Sequence, residues 1–550
     1  MDNTWRPPGF GAITALAIFI VASVWLGALA QRVVKKGSFL QGYFLGNRGL
    51  GAWALALTAT VQSGGTFMGY PSLVYSYGWA VALWIASYMV VPIMGFGVMA
   101  KRLSQLSRRT GAITVPDLFR ERFQSPAVGL TSALLIMFFM CFMMVAQFKA
   151  GASVMKVAWP SGAAPILNET GGNMDWLFYV GLAVFTITVV GYTMIGGFLA
   201  AVWTDLFQSV MMLVGVVILV TLALWKVGGL ESATIQAIAN TSPDFALAPG
   251  YSPDGRAFLT PALALSFFFV WVFGGMGSPA TLVRLMACKD TPTIRRSVFL
   301  LAVYNFLIYI PLVFVCVAAR AVMPELESSD EVIPRMAIWT TQGLPGGSIL
   351  AGLVLAAPFG AVMATVSSYL VVIASGLVRD VYLRFFRRDA SPREVRYLTY
   401  ATMIGVGLVA VAANVRPVAY LQAIVVFCGS SGAATFVVPA LMACFWRRAT
   451  AAGALAAMVT GAGVASLLLL VGSQMPDPMV GPATQFRSYY LFGLEPIVWG
   501  LIGSLAAGVV VSLCTQPPDA KLISELFDAP APEATADDTR TCDAGPVLQQ

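Results

Sequence analysis

The 550-residue chain contains no histidine. That excludes histidine catalysis, histidine proton relays and histidine metal sites. Charge is scarce as well. Only 11% of residues are Asp, Glu, Lys or Arg, against about 25% in an ordinary soluble domain. The seven cysteines, at 141, 288, 316, 428, 444, 514 and 542, fall mostly inside apolar runs. They form neither a metal-binding spacing nor a disulfide framework. Hydrophobic residues make up 58% of the chain, which leaves too little polar surface for a water-soluble fold. The class is a polytopic membrane protein with the lipid bilayer as its partner. The net charge of +7 comes from short Lys and Arg clusters between apolar spans. That pattern encodes topology and not nucleic-acid binding. Nothing in the chain calls for an obligate protein partner or a cofactor, and no catalytic constellation appears, so the chain is not read as an enzyme.

Apolar windows of helical length occur at 10–31, 51–78, 79–100, 127–157, 176–196, 200–225, 261–287, 297–322, 346–378, 395–414, 417–445, 451–472 and 491–514. The first ends in Ala28-Leu29-Ala30, which looks like a signal-peptidase site. The run is long for a signal peptide, however, and Arg32, Lys35 and Lys36 follow it at once. It is read as a span. With thirteen spans and the N-terminus outside, 24 of the 33 basic residues fall on the cytoplasmic side and eight outside, with Lys149 inside a span. This asymmetry places the N-terminus outside and the C-terminus in the cytoplasm of the cell (plasma or inner) membrane. Residues 1–50 form an extra N-terminal helix and a loop, 51–448 the core, 449–515 two C-terminal helices, and 516–550 a polar tail read as disordered.

Two spans carry breaks. In Leu55 to Gly78, the residues Gln62, Ser63, Gly64, Gly65 and Thr66 sit where a simple anchor would carry Leu or Val. Gly weakens helices, and polar groups in hydrocarbon are costly unless they line a cavity. The seventh span breaks at Gly274, Gly275, Gly277 and Pro279. The breaks lie five spans apart. Five is odd, so spans 2–6 and 7–11 run in opposite senses, as in transporters built from inverted repeats. Gly and Pro also serve plain helix packing, but two breaks in register favour a binding site. Unwound carbonyls suit a cation such as Na⁺, and half-helix N-termini suit an anionic group.

Several motifs at and around these breaks resemble the sodium:solute symporter family. They are Tyr43-Phe-Leu-Gly-Asn-Arg48, Thr114-Val-Pro-Asp-Leu-Phe-Arg-Glu-Arg-Phe123 and Tyr192-Thr-Met-Ile-Gly-Gly-Phe-Leu-Ala-Ala-Val-Trp-Thr-Asp-Leu-Phe-Gln208. Thr58-Ala-Thr60, Gly69-x-Pro71, Tyr75-x-Tyr77-Gly78 and Leu355-Ala-Ala-Pro358 look closest to its pantothenate permease branch. The resemblance implies an all-α, LeuT-like fold of about thirteen helices in a five-plus-five inverted repeat with broken helices. It also implies cation-coupled symport of a small organic solute, with sodium as the expected coupling ion. By matching motifs, the sodium site would use carbonyls of Ala59, Gln62 and Ala361 and the hydroxyl of Thr365. Ala364 stands where the family usually has Ser, and Val61 where some members have Asp. The branch's Pro-His of the seventh span is Pro279-Ala280 here. Pantothenate or another small carboxylate is the expected substrate. Proton or weak coupling, and a non-concentrating solute sensor, are the alternatives.

Residues expected to face the substrate are Gln62, Ser63, Thr66, Phe67, Lys149, Trp271, Gly274, Gly277, Ser278 and Ser430. Lys149 is read either as a counter-charge for a carboxylate or as a lysine snorkelling to the outer interface. Phe67 and Trp271 flank the breaks as gates or as packing residues. Ser430 lines the cavity or packs a small-residue face. Asp205 caps the start of its span or meets an ion on its path.

Overall fold

The computed structural model of the chain describes residues 7–34, 51–59, 63–160, 176–251, 259–288, 290–387, 389–417, 421–475 and 487–528. Gln62, Tyr43–Arg48 and the tail from 529 onward lie outside the described residues. No β-strand forms among those described. Helix α1 is Phe10–Val34. The second expected span begins as α2, Ala52–Ala59. Helix resumes with a π-helical stretch, Gly65–Gly69, that leads into α3, Tyr70–Tyr77. The third expected span is α4, Ala82–Val91, followed by a π-helical stretch, Pro92–Ala100, and α5, Lys101–Thr110. Two further helices are α6, Val115–Phe123, and the long span α7, Pro126–Ala158.

Helix α8, Trp176–Val227, holds two expected spans joined at Gly197, where φ is 61° and ψ is −155°. Only glycine adopts that conformation cheaply. The chain continues through α9 (Leu230–Ala239), α10 (Pro261–Gly277), α11 (Pro279–Met286), α12 (Thr291–Val322) and α13 (Val332–Thr341). Helix α14 is Gly347–Ser375 and runs on as a π-helical segment to Phe386. The rest comprises α15 (Pro392–Ala413), α16 (Leu421–Phe445), α17 (Ala451–Gln474), α18 (Pro496–Cys514) and α19 (Ala520–Phe527).

Eight helix starts follow one local rule. A polar residue accepts a backbone N–H of the first turn, and proline, which has no N–H to leave unpaired, often follows it. Ser125-Pro126, Thr260-Pro261 and Ser391-Pro392 open α7, α10 and α15 this way. Asp290 Oδ1 accepts from Thr293 N at 2.8 Å to open α12.

Ten described helices are long and apolar enough to cross a bilayer, or eleven if the pair α10–α11, bent by 44°, counts as one. The thirteen expected spans are not reached by that measure. The windows 51–78 and 79–100 are divided into shorter α and π segments, so no single helix there has full length. Large apolar side chains such as Ile187, Phe299, Leu408 and Leu470 project outward, as a lipid-facing surface requires. Helices α14 and α16 are the most enclosed. Within the tail expected to be disordered, Ala520–Phe527 forms helix α19, which packs on α5. There Arg122 stands over the Phe527 ring at 5.3 Å and donates to the carbonyls of Ala443 and Trp446 that end α16. Burial pushes the Arg122 guanidinium down to about 10.

Candidate functional site

The two broken spans meet at a cavity of ≈ 120 Å³. One wall is the bend between α10 and α11, with Trp271, Gly274, Ser278 and Thr281. The break occurs because Gly277 is followed by Ser278 in extended conformation and then by Pro279. Proline cannot donate the N–H that would continue α10. The N-terminus of α11 therefore opens onto the cavity through Ser278, Pro279, Ala280 and Thr281. Helix α16 supplies Val425, Cys428, Gly429 and Gly432, and α7 supplies Ile136, Phe139, Met140 and Met143. None of the described lining residues is Asp, Glu, Lys or Arg.

A smaller space of ≈ 40 Å³ shares Ser63, Tyr88, Trp271 and Val425 with the first. Gly65, Thr66, Tyr70, Tyr309 and Gln422 complete it. Tyr88 ties the aromatics together, with ring centroids 4.5 Å from Tyr309 and 5.6 Å from Trp271. Thr66 Oγ1 and the Tyr309 hydroxyl lie 3.0 Å apart. The restart of the first broken helix is held by Gln147, whose Oε1 accepts from Gly64 N at 2.8 Å.

Gln422 Oε1 sits so close to Gly69 that a Cβ there would fall 2.0 Å from it, so the glycine is what admits the amide. Both polar atoms of Gln422 are buried and have no hydrogen-bond partner among the described residues. Such an amide carries the full cost of its lost water. Neither Gln147 nor Gln422 belongs to the set expected from sequence. For Gln422 the available signal was a lone amide among the first residues of an otherwise apolar span.

Of the expected substrate residues, Ser63, Thr66, Trp271, Gly274 and Ser278 line these two spaces. Phe67 is fully buried in the core. Gly277 packs on α16, with a Cβ there only 2.9 Å from Ala433 Cα. Ser430 faces Glu495, to which its hydroxyl donates at 2.7 Å. Lys149 is not among the residues that line these two spaces. It is buried, and its Nζ lies 2.6 Å from Asp330 Oδ2. Asp330 comes from the loop before α13, and the same oxygen accepts from Leu421 N at the start of α16. A paired, hydrogen-bonded lysine satisfies itself without reaching water.

The expected sodium ligands divide. Ala59 ends α2, and Gln62 is outside the described residues. Thr365 Oγ1 lies 3.0 Å from the Ala361 carbonyl, and both residues are fully buried in α14. Ala364 adds only a methyl. Its carbonyl accepts from Ser367 at 3.0 Å and from Ser368 at 2.8 Å.

Asp205 is paired too. Arg284 Nη2 donates to Asp205 Oδ2 at 2.8 Å and to Ser368 Oγ at 2.6 Å. Arg284 Nε reaches Thr58 Oγ1 at 3.3 Å. One guanidinium thereby joins α2, α8, α11 and α14 beside the expected ion ligands. A point charge could not make this set of directed contacts.

The profile of the sodium:solute symporter family matches residues 43–461. A sodium/pantothenate symporter of Haemophilus influenzae is 32% identical over 474 residues, covering 84% of this chain and 92% of its own. The sodium/pantothenate symporter of Escherichia coli is 30% identical over 503 residues, covering 90% and 95%. In fold, the chain is similar to a substrate-bound, outward-open Na⁺-coupled sialic acid symporter. The TM-score is 0.68 and the identity 20%, with 93% of this chain and 99% of the other covered.

Proposed function

The chain belongs to the sodium:solute symporter family, and from that premise we propose that it imports a small organic acid of the pantothenate kind together with Na⁺. Substrate binds in the cavity between the two broken spans, and the two halves of the fold rock around it. The observation that carries this reading is the character of the cavity wall. The N-terminus of α11 opens onto a lining of Ser, Thr, Tyr, Trp and apolar side chains without a charged residue. A helix N-terminus favours an anionic group. With no lysine or arginine among the described lining residues, the remaining balance for a carboxylate falls to the co-transported cation. The family's pantothenate symporters, at 30 and 32% identity, favour that acid as the first to test.

Sodium is a co-substrate in this reading. The carbonyls of Ala59, Gln62 and Ala361 and the hydroxyl of Thr365 would hold it; Ala361 and Thr365 stand one turn apart in the buried part of α14. One Na⁺ with one carboxylate carries no net charge. The membrane potential then does no work, and a tenfold sodium gradient supplies about 1.4 kcal/mol. Strong accumulation of an acid therefore requires a second cation. One observation favours a second reading, weak sodium or proton coupling: Ala364 offers no side-chain oxygen to the site. The excess of basic residues on alternate loops supports insertion in the cell membrane with the N-terminus outside and the C-terminus in the cytoplasm.

The test is uptake of labelled pantothenate into proteoliposomes, with sodium and proton gradients imposed separately. Accumulation driven by the sodium gradient is expected. Accumulation under the proton gradient alone selects the second reading, and none under either removes pantothenate as the substrate.

A further inference from the structure

Glu495 was not expected to matter, yet its surroundings are unusual. It is the N-cap of α18 and is 1% exposed. Its Oε2 accepts from Ile497 N at 2.6 Å, and its Oε1 accepts from the Ser430 hydroxyl at 2.7 Å. Its own N–H donates to Ser266 Oγ at 3.0 Å. A single residue thus joins the last span to α16 and to α10, the two helices that wall the cavity beside the second break. Ser430 sits between Gly429 and Gly432, both of which line that cavity.

Among the described residues, no cation pairs with this carboxylate. The four helices around it, α10, α16, α17 and α18, contain no Asp, Glu, Lys or Arg at all. The titratable group facing it is Tyr490, from the segment that leads into α18, with Tyr77 beyond. Helix α16 also carries Cys428 and Cys444, and α18 carries Cys514 at its far end, while α10 and α17 carry no titratable side chain. Two neutral donors and the N-terminal dipole of α18 favour the anion, while removal from water opposes it. The anion and the neutral acid are thus each favoured by part of the same surroundings.

We propose that Glu495 is a proton-binding site whose occupancy follows the movement of α16 against α18. When Ser430 is within reach, the anion has two donors. When α16 tilts away, one donor is lost, and the carboxylate takes a proton from water to become the neutral acid. Return of Ser430 releases that proton. Net charge around the last span changes by one in each direction, and no other group need react. Protonation of this carboxyl depends only on the geometry above, while its link to transport rests on the symport reading.

The experiment uses the full-length protein in lipid vesicles, wild type and Glu495→Gln. Glutamine keeps the size and can still accept from Ile497 N, while the Ser430 hydroxyl can turn to accept from its amide. Infrared difference spectra are recorded as pH is stepped from about 5 to about 9. A protonated-carboxyl band that changes across this pH range in wild type and is missing from Glu495→Gln is the expected result. The same band in both proteins, or none in wild type, overturns the proposal. Uptake of labelled pantothenate at saturating sodium forms the second arm. Its rate should vary about tenfold across this pH range in wild type and lie within twofold of constant in the variant; equal profiles overturn the link to transport. If wild type takes up no pantothenate at any pH, the substrate reading fails, and the infrared arm still decides the proton site.

Discussion

Lys149 Nζ and Asp330 Oδ2 lie 2.6 Å apart, with the two side chains 11% and 3% exposed. The pair connects α7 to the loop before α13, and Asp330 also holds the first turn of α16 through Leu421 N. A lysine that seemed free to meet a carboxylate substrate is already committed to a carboxylate of the protein.

This commitment predicts a distinctive mutational pattern. Removing one partner of a buried pair leaves an uncompensated charge and costs about 3–5 kcal/mol. Lys149→Met should therefore lower thermal stability sharply in detergent. Lys149→Met with Asp330→Asn should recover most of the loss, because both charges then leave together. Melting curves of the two variants beside wild type are the measurement. A double variant no more stable than the single one would separate Lys149 from Asp330 and return it to the substrate.

Thr365 and Ala364 give the sodium reading its sharpest check. A hydrogen bond or ligand to a charged group contributes about 1.5–3 kcal/mol, which is about a tenfold change in half-saturating concentration or more. Thr365→Ala should raise the sodium concentration for half-maximal uptake by about tenfold. Ala364→Ser restores a hydroxyl on the same turn of α14 and should lower it. Sodium titrations of uptake at fixed substrate decide this, and identical curves for all three proteins would remove α14 from the ion site.

Gln422 predicts a trade between stability and binding. Its amide is buried without a partner among the described residues, and such a group costs about 1–3 kcal/mol. Gln422→Leu should therefore melt at a higher temperature than wild type in the absence of substrate. If the amide meets the transported solute, the same variant should show a KM raised about tenfold or more, with expression unchanged. A variant that is both less stable and unaltered in KM would mean that the amide has another partner.

Local signals carried much of the fold. Apolar run length marked the spans, and Gly274 to Pro279 marked the bend of 44°. What remained hidden were pairings set by distant chain segments. Lys149 and Asp330 are separated by 181 positions, and Gly64 and Gln147 by 83. No periodicity records such partners. The division of 79–100 into α and π segments was hidden for a related reason. Its composition is uniformly apolar, and a change of hydrogen-bond register leaves no mark on hydropathy. Gln422 was legible only as an odd residue, because its significance lies in what surrounds it.

Arg284 provides the strictest separation of charge from shape. Its guanidinium donates to Asp205, Ser368, Thr58 and the Ala280 carbonyl, from a site 2% exposed. These acceptors lie on four different helices, three of which carry expected ion ligands or the second break. Lysine would preserve the charge opposite Asp205, but its ammonium is a compact point charge and cannot span the same set. Arg284→Lys should therefore keep the Asp205 carboxylate balanced and the protein folded, while releasing α2 and α14 from one another. The expected result is a melting temperature well above that of Arg284→Ala, together with an uptake rate at saturating sodium and substrate reduced about tenfold. If Arg284→Lys transports at the wild-type rate, balancing Asp205 is all that this arginine does. If it melts as early as Arg284→Ala, the fork is needed for folding itself. Measuring both quantities on the same preparations tells these outcomes apart.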